Sequence, residues 1–148
     1  MSKRDLIITI FLVVFFLQSS GLINQYLGGV PYLNLNNYGD GYNKYYTLTS
    51  EIDAARWLER NRDAVEIYAD EIASLNLSAY ANLVDIRYDV FPSTITKSSY
   101  IYLSNINVNS AISFVSYNID FITYKTPIEF ISDNKNLIYN NGSSQIYK

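Results

Sequence analysis

Thr49 to Asp70 reads TSEIDAARWLERNRDAVEIYAD, and the fold class turns on the change of period inside it. Ile52, Ala55 and Leu58 recur at helical spacing, with Ala54 and Trp57 widening the apolar stripe. Asp53, Arg56, Glu59 and Arg60 fall on the opposite side. Ser50 followed by Asp53 has capping-box spacing, and Thr49 is the alternative cap. Asn61-Arg62-Asp63 ends the helix, and Ala64 to Ala69 then reads as a short strand. Trp57 belongs to the inner face, where a lone tryptophan is expected in the core. Asp70 closes the strand, and two roles are open to it. It caps a helix starting at Glu71, or it faces a ligand, as residues at the carboxyl ends of α/β strands often do.

Outward from this stretch, Glu71 to Leu77 continues as a helix with Ile72 and Leu75 inward. Leu83 to Phe91 carries a strand alternation over 84–90 that Pro92 stops. Ser99 to Leu103 is a further strand, and Asn105 to Asn109 alternates like a strand but is rich enough in Asn to be a loop. Ile112 to Ile122 is apolar and β-prone without separating helix from strand. Thr126 to Ile131 suits a short helix with Pro127 at its start. Leu137 to Tyr147 places two β-prone runs around Asn141-Gly142, a hairpin signal. Helix alternating with strand predicts an α/β domain, a small Rossmann-like three-layer arrangement of three or four strands. The Asn-rich second half leaves α+β as the alternative.

The N-terminus has a different chemistry. Lys3 and Arg4 precede Leu6 to Leu17, LIITIFLVVFFL, which is apolar on every side. Twelve such residues rise only about 18 Å as a helix, so a membrane span has to run on through Gly21 to Leu22 and Ile23. Small residues Ser19 to Gly21 also fit the cut of a cleaved signal peptide, but continuation into apolar sequence favours a retained anchor. Lys3 and Arg4 then put the N-terminus in the cytoplasm and the remainder outside. The expected organisation is a transmembrane anchor over 1–24, a linker over 25–48 and an extracytoplasmic domain over 49–148. The linker is rich in Asn, Gly and Tyr, with Tyr26 and Tyr32 suited to a membrane interface. A pilin-like filament subunit also begins with an apolar helix, but no Gly-ended processing site follows Lys3-Arg4, which leaves it a minor alternative.

Composition narrows the chemistry. The 148 residues carry a net charge of −3 with no basic cluster, which argues against nucleic acid as a partner. There is no histidine and no cysteine, so the usual proton shuttle, thiolate chemistry and Cys-based zinc sites are missing. Asp40 with Asn36 and Asn37 does not match a calcium-loop spacing, and neither metal nor cofactor is expected. Asp70, Asp85 and Asp89 are the carboxylates from which an acid–base pair would be drawn, but Asp85 and Asp89 share one strand face, as solvated residues do. Asn76-Leu77-Ser78 and Asn141-Gly142-Ser143 are glycosylation sequons, making Asn76 and Asn141 candidate acceptors. Fifteen tyrosines and many asparagines suit contact with glycans, since ring faces stack on sugars and amides bond hydroxyls.

FLQSSGLINQ, YYTLTSEIDAARWLERNRDAVEIYAD, SYIYLSNINV and the ending NKNLIYNNGSSQIYK occur in that order. Together they resemble the carboxyl end of an archaeal family of multi-pass membrane proteins similar to glycosyltransferases of the lipid-linked-sugar (GT-C) type. The resemblance implies a last transmembrane helix handing over to a small domain outside the cell. Catalytic carboxylates of such enzymes lie in early external loops between transmembrane helices, so no catalytic residue transfers to this chain. The expected function is therefore a non-catalytic, membrane-tethered domain accessory to glycosylation or envelope assembly, with envelope or glycosylation proteins as partners. A surface structural or glycan-binding protein is the alternative.

Overall fold

The computed structural model describes residues 2–28, 40–118 and 120–148. The chain divides into two compact units, Met1–Tyr46 and Thr47–Lys148. In the first, helix α1 (Lys3–Ser19) starts with a reciprocal cap: Asp5 N–H donates to Ser2 Oγ at 3.1 Å and Ser2 N–H to Asp5 Oδ2 at 3.0 Å. The helix has 17 residues and no buried one, so its length is about 26 Å and its apolar side chains lie bare on all sides. Gly21 then adopts φ +75°, a left-handed conformation that interrupts the helix before α2 (Leu22–Tyr26). This corrects the expectation of one span running through to Ile23. Among the described residues no helix is long and apolar enough to cross a membrane. Helix α3 (Asp40–Tyr45) ends this unit. Tyr32, Asn36 and Asn37 of the expected linker lie outside the described residues.

The second unit opens with α4 (Thr49–Asn61), whose N-cap is Leu48 rather than Ser50 or Thr49. Leucine has no side-chain acceptor, so only half of a capping box forms: Glu51 Oε2 accepts from Leu48 N–H at 2.8 Å. Strand β1 is confined to Ile67–Tyr68, shorter than the expected 64–69, because Val65 N–H turns back onto Asp63 C=O. Helix α5 (Glu71–Ala81) extends a turn beyond Leu77 and stops where Asn82 takes a left-handed φ of +48°. Strand β2 is only Ile86–Arg87. Asp85 at φ +62° and the tight turns Tyr88–Val90 and Asp89–Phe91 break the alternation that pointed to a strand over 84–90. Then come β3 (Tyr100–Leu103), helix α6 (Asn105–Asn109), β4 (Ile112–Tyr117), β5 (Asp120–Lys125), α7 (Ile128–Asn134), β6 (Leu137–Asn140) and β7 (Gln145–Tyr147). The stretch open between strand and loop at 105–109 is thus a helix, and Pro127 stands at the cap of α7.

Five strands form one sheet in the order β2-β1-β3-β7-β6, and β4 pairs with β5 in a separate ribbon. β1 runs parallel to both neighbours, whereas β7 is antiparallel to β3 and to β6. The domain is mixed α/β. The Rossmann-like expectation fails in the β7–β6 half, where the anticipated Asn-Gly hairpin supplies antiparallel strands. That hairpin has a four-residue loop, 141–144, with Gly142 at φ +83°.

Alternate residues of the strands face opposite sides. Ile67, Tyr100, Tyr102 and Ile146 pack with Ala54, Ala55 and Leu58 of α4 and Ala73, Leu77 and Ala81 of α5. Tyr68, Ile101, Leu103 and Tyr147 pack on the other side with Val90 and Ile131 of α7. The alanines let α4 and α5 lie close on the sheet, and Trp57 joins this core by resting on Tyr139, ring centroids 5.0 Å apart.

Candidate functional site

The parallel strands β2, β1 and β3 define a carboxyl end, the usual location of ligand crevices in α/β sheets. β1 feeds into Asp70 there, and β3 feeds into Ser104. Asp70 caps α5: its Oδ1 accepts from Ala73 N–H at 2.8 Å. Its Oδ2 accepts from Asn107 Nδ2 at 2.7 Å and from Phe114 N–H at 3.0 Å. The residue is 1% exposed, so both oxygens are taken by the protein and none faces solvent. Burial raises the carboxyl pKa above its ordinary value, and the bonds from Ala73, Asn107 and Phe114 oppose that rise.

Asn107 is the hub of this end and is fully buried. Its Oδ1 accepts from Ser104 N–H (2.7 Å) and Ser104 Oγ (2.8 Å). Besides Asp70, its Nδ2 reaches Ile112 C=O at 2.8 Å and Ser113 Oγ at 3.2 Å. Ser113 Oγ shares a hydrogen bond of 2.8 Å with Thr126 Oγ1, tying β4 to the residue that follows β5. These links fill the crevice with the base of the β4–β5 ribbon, where Phe114 packs on Ile72 and Ile106. The Tyr124 ring lies 4.8 Å from Phe91, and burial pushes the pKa of its hydroxyl up to about 12.

Glu51 performs a second buried junction. While Oε2 holds the start of α4, Oε1 accepts from Asn105 N–H at 2.9 Å, the first amide of α6. One carboxylate thus serves two helix N-termini, where negative charge is favoured. Lys135 is a third buried group, with its ammonium donating to Thr96 C=O (2.9 Å), Lys97 C=O (3.0 Å) and Ser99 C=O (2.6 Å). No carboxylate is among these acceptors, and burial lowers its pKa. Sequence reasoning places Glu51 in the first turn of a helix, where an acid suits the dipole, but passes over its second role and over Asn107 and Lys135. The spacing of Ser104 and Asn107, a polar residue three positions after a capping serine, is the local signal for Asn107.

At the opposite, amino end of the parallel strands lies an open groove of about 600 Å³, lined by Arg62, Val65, Glu66, Asp85, Thr96 and Ser98 among others. Glu66 is already engaged there by Thr96 Oγ1 at 3.0 Å and by Arg87 at 3.6 Å. Asp89 forms a two-pronged contact with Arg87, Nε–Oδ1 3.2 Å and Nη2–Oδ2 2.9 Å. Asp70, Asp85 and Asp89 therefore occupy three different settings: a buried cap, a groove wall and a surface ion pair. Among the described residues no cluster of three or more acidic groups suits a metal ion.

The sequon asparagines differ as well. Asn76 lies half-buried within α5 and its Oδ1 accepts from Thr47 Oγ1 at 2.8 Å. Asn141 is exposed in the β6–β7 turn. Its Nδ2 donates to Ser50 C=O at 2.7 Å, and its Oδ1 accepts from Ser144 N–H at 2.8 Å.

No curated protein and no solved structure matches the chain. A family described as "Predicted membrane protein" (DUF2206) matches residues 2–147, nearly the entire chain, and the protein belongs to that family.

Proposed function

We propose that this chain is a membrane-tethered module, held outside the cytoplasm, that serves glycosylation or envelope assembly without catalysing a reaction itself. The observation carrying this reading is α1, an apolar helix bare on all faces, in a member of a membrane-protein family. A stretch apolar all round finds its match in lipid, and the twelve residues Leu6–Leu17 of α1 are shorter than a full span. Flanking residues and local thinning of the bilayer accommodate such a length. Lys3 and Arg4 at its start set the N-terminus inside. The non-catalytic part is supported by the carboxyl end of the parallel strands, which is filled by Asp70, Asn107 and the β4–β5 ribbon. A contact role for the folded domain is what remains, with glycosylation or envelope proteins as its partners.

Protease added to intact cells and to inverted membrane vesicles, with fragment masses read, tests the topology. Digestion of residues 47–148 only in intact cells is the expected result. Protection in intact cells and digestion in inverted vesicles would overturn it. A co-purification from membranes that recovers glycosylation or envelope proteins supports the accessory role, and one that recovers none counts against it.

A further inference from the structure

Helix α1 breaks at Gly21, and the break is closed in the manner of one that lies away from water. The last carbonyls of a helix lack intrahelical donors and take water where water is at hand. Here the chain supplies donors itself. Ser19 Oγ donates to Phe16 C=O at 3.2 Å and Ser20 Oγ to Leu17 C=O at 3.1 Å. Ser20 N–H reaches Phe16 C=O at 2.9 Å, and Gly21 N–H closes on Gln18 C=O at 3.2 Å. Hydroxyls turned back onto the backbone make a helix break tolerable in hydrocarbon, where an unmet carbonyl is expensive.

Beyond the break the chain stays fit for lipid. No charged residue occurs between Asp5 and Asp40. Leu22 and Tyr26 stand about one turn apart on the same face of α2, 45% and 92% exposed, and Leu27 follows at 76%. Their place in the chain names what covers them. Ser20 and Gly21 are all that separates α2 from a helix bare on every face, so the apolar layer that takes α1 reaches α2 as well.

Length decides on which side of the membrane surface the break lies. From Leu6 to Gly21 a helix rises about 22 Å, against about 30 Å for the hydrocarbon core. The five residues of α2 add about 7 Å, which closes the gap. A break placed in water leaves α1 about 8 Å short, a mismatch that the bilayer has to thin to meet.

We propose that the Gly21 break lies inside the outer leaflet, sealed by Ser19 and Ser20, and that α2 carries the chain on to the headgroups, where the Tyr26 ring sits. This rests on the membrane tethering proposed above and states what the tether is: two helical pieces around a buried break, rather than one helix ending in water.

The absence of cysteine makes the test direct. Single cysteines are introduced as Val13→Cys in α1, Leu22→Cys in α2 and Asp133→Cys on the exposed side of α7. Each is labelled with an environment-sensitive fluorophore in the full chain, reconstituted into phosphatidylcholine vesicles. One set of vesicles carries a nitroxide quencher on the acyl chain and another carries it on the headgroup. Acyl-chain quenching at 13 and 22 is expected to exceed that at 133 by about twofold or more, and to exceed headgroup quenching at both positions. Quenching at 13 with position 22 as unquenched as 133 puts the break in water; it overturns the proposal and leaves the tether standing. Stronger quenching at 22 from the headgroup than from the acyl chain lays α2 on the surface and also overturns it. No quenching at 13 overturns the tether and the proposal together. A Ser19→Ala/Ser20→Ala double variant removes the two side-chain donors and keeps the backbone ones. It is expected to shift the label at 22 about twofold towards headgroup quenching with 13 unchanged, as the freed carbonyls seek water. An unchanged profile at 22 overturns the sealing role.

Discussion

The two ends of the parallel strands solve opposite problems. At the carboxyl end a carboxylate, an amide and three hydroxyls are buried, and their partners come from α5, α6, β4 and the residue after β5. At the amino end Glu66, Asp85 and Arg62 stand in an open groove where water satisfies whatever the protein does not. In low-dielectric surroundings a polar group without a partner is expensive, so the first end tolerates no vacancy, whereas the second tolerates many. The end at which α/β proteins ordinarily bind ligands is here spent on holding the ribbon in place.

This contrast ranks the consequences of mutation. Asn107→Ala strips Asp70 and Ser104 of their partner inside the core, and a loss of about 3 kcal/mol of unfolding free energy is expected from denaturant titration. Lys135→Met leaves the carbonyls of Thr96, Lys97 and Ser99 without their donor. A loss of about 2 kcal/mol is expected by the same measurement. Small losses in both would mean that neither buried polar junction is sealed from water.

A finer test uses pH. The folded-state pKa of Asp70 lies above its ordinary 3.8, so the native state holds this proton more tightly than the unfolded chain. The stability that follows is fully present below pH 3.8 and is lost as pH rises through the raised folded value. The stability of the parent relative to Asp70→Asn is therefore expected to fall as pH climbs from about 4 and to level off above the folded pKa. A difference that instead rises with pH would mean that the hydrogen bonds to Asp70 outweigh its burial. At the exposed extreme, Lys148→Ala removes the contact with Asp63 on the surface. It is expected to leave the unfolding midpoint unchanged, because such pairs are screened by water and salt.

The sequence carried the elements whose stability is local. The stripe of α4 and the run at Ile67–Tyr68 announce themselves by period, and Asn141-Gly142 marks its turn by the conformation that glycine permits. What escaped depends on distant partners. Glu51 gains its second role from Asn105, 54 positions away, and a cap centred on Ser50 was equally good on local grounds. Asn105 to Asn109 alternates like a strand yet coils, because Ser104 and Asn107 bond each other and Asp70 anchors the turn. Strand β2 shrank because Asp85 adopts a left-handed conformation that no pattern of hydrophobicity encodes. Asp70 was visible as a residue with two possible roles, and its acceptance of Ala73 N–H makes it a cap.

The most direct measurement is hydrogen exchange at the amide of Phe114, the backbone group of the ribbon that donates to Asp70. If the carboxyl end is sealed as an integral part of the core, this amide exchanges only with global unfolding, at the rate class of the buried β3 amides from Tyr100 to Leu103. Exchange of Phe114 orders of magnitude faster than β3, under conditions where β3 stays protected, would contradict the account. It would mean that the ribbon opens on its own and that the crevice beneath it is available to a ligand.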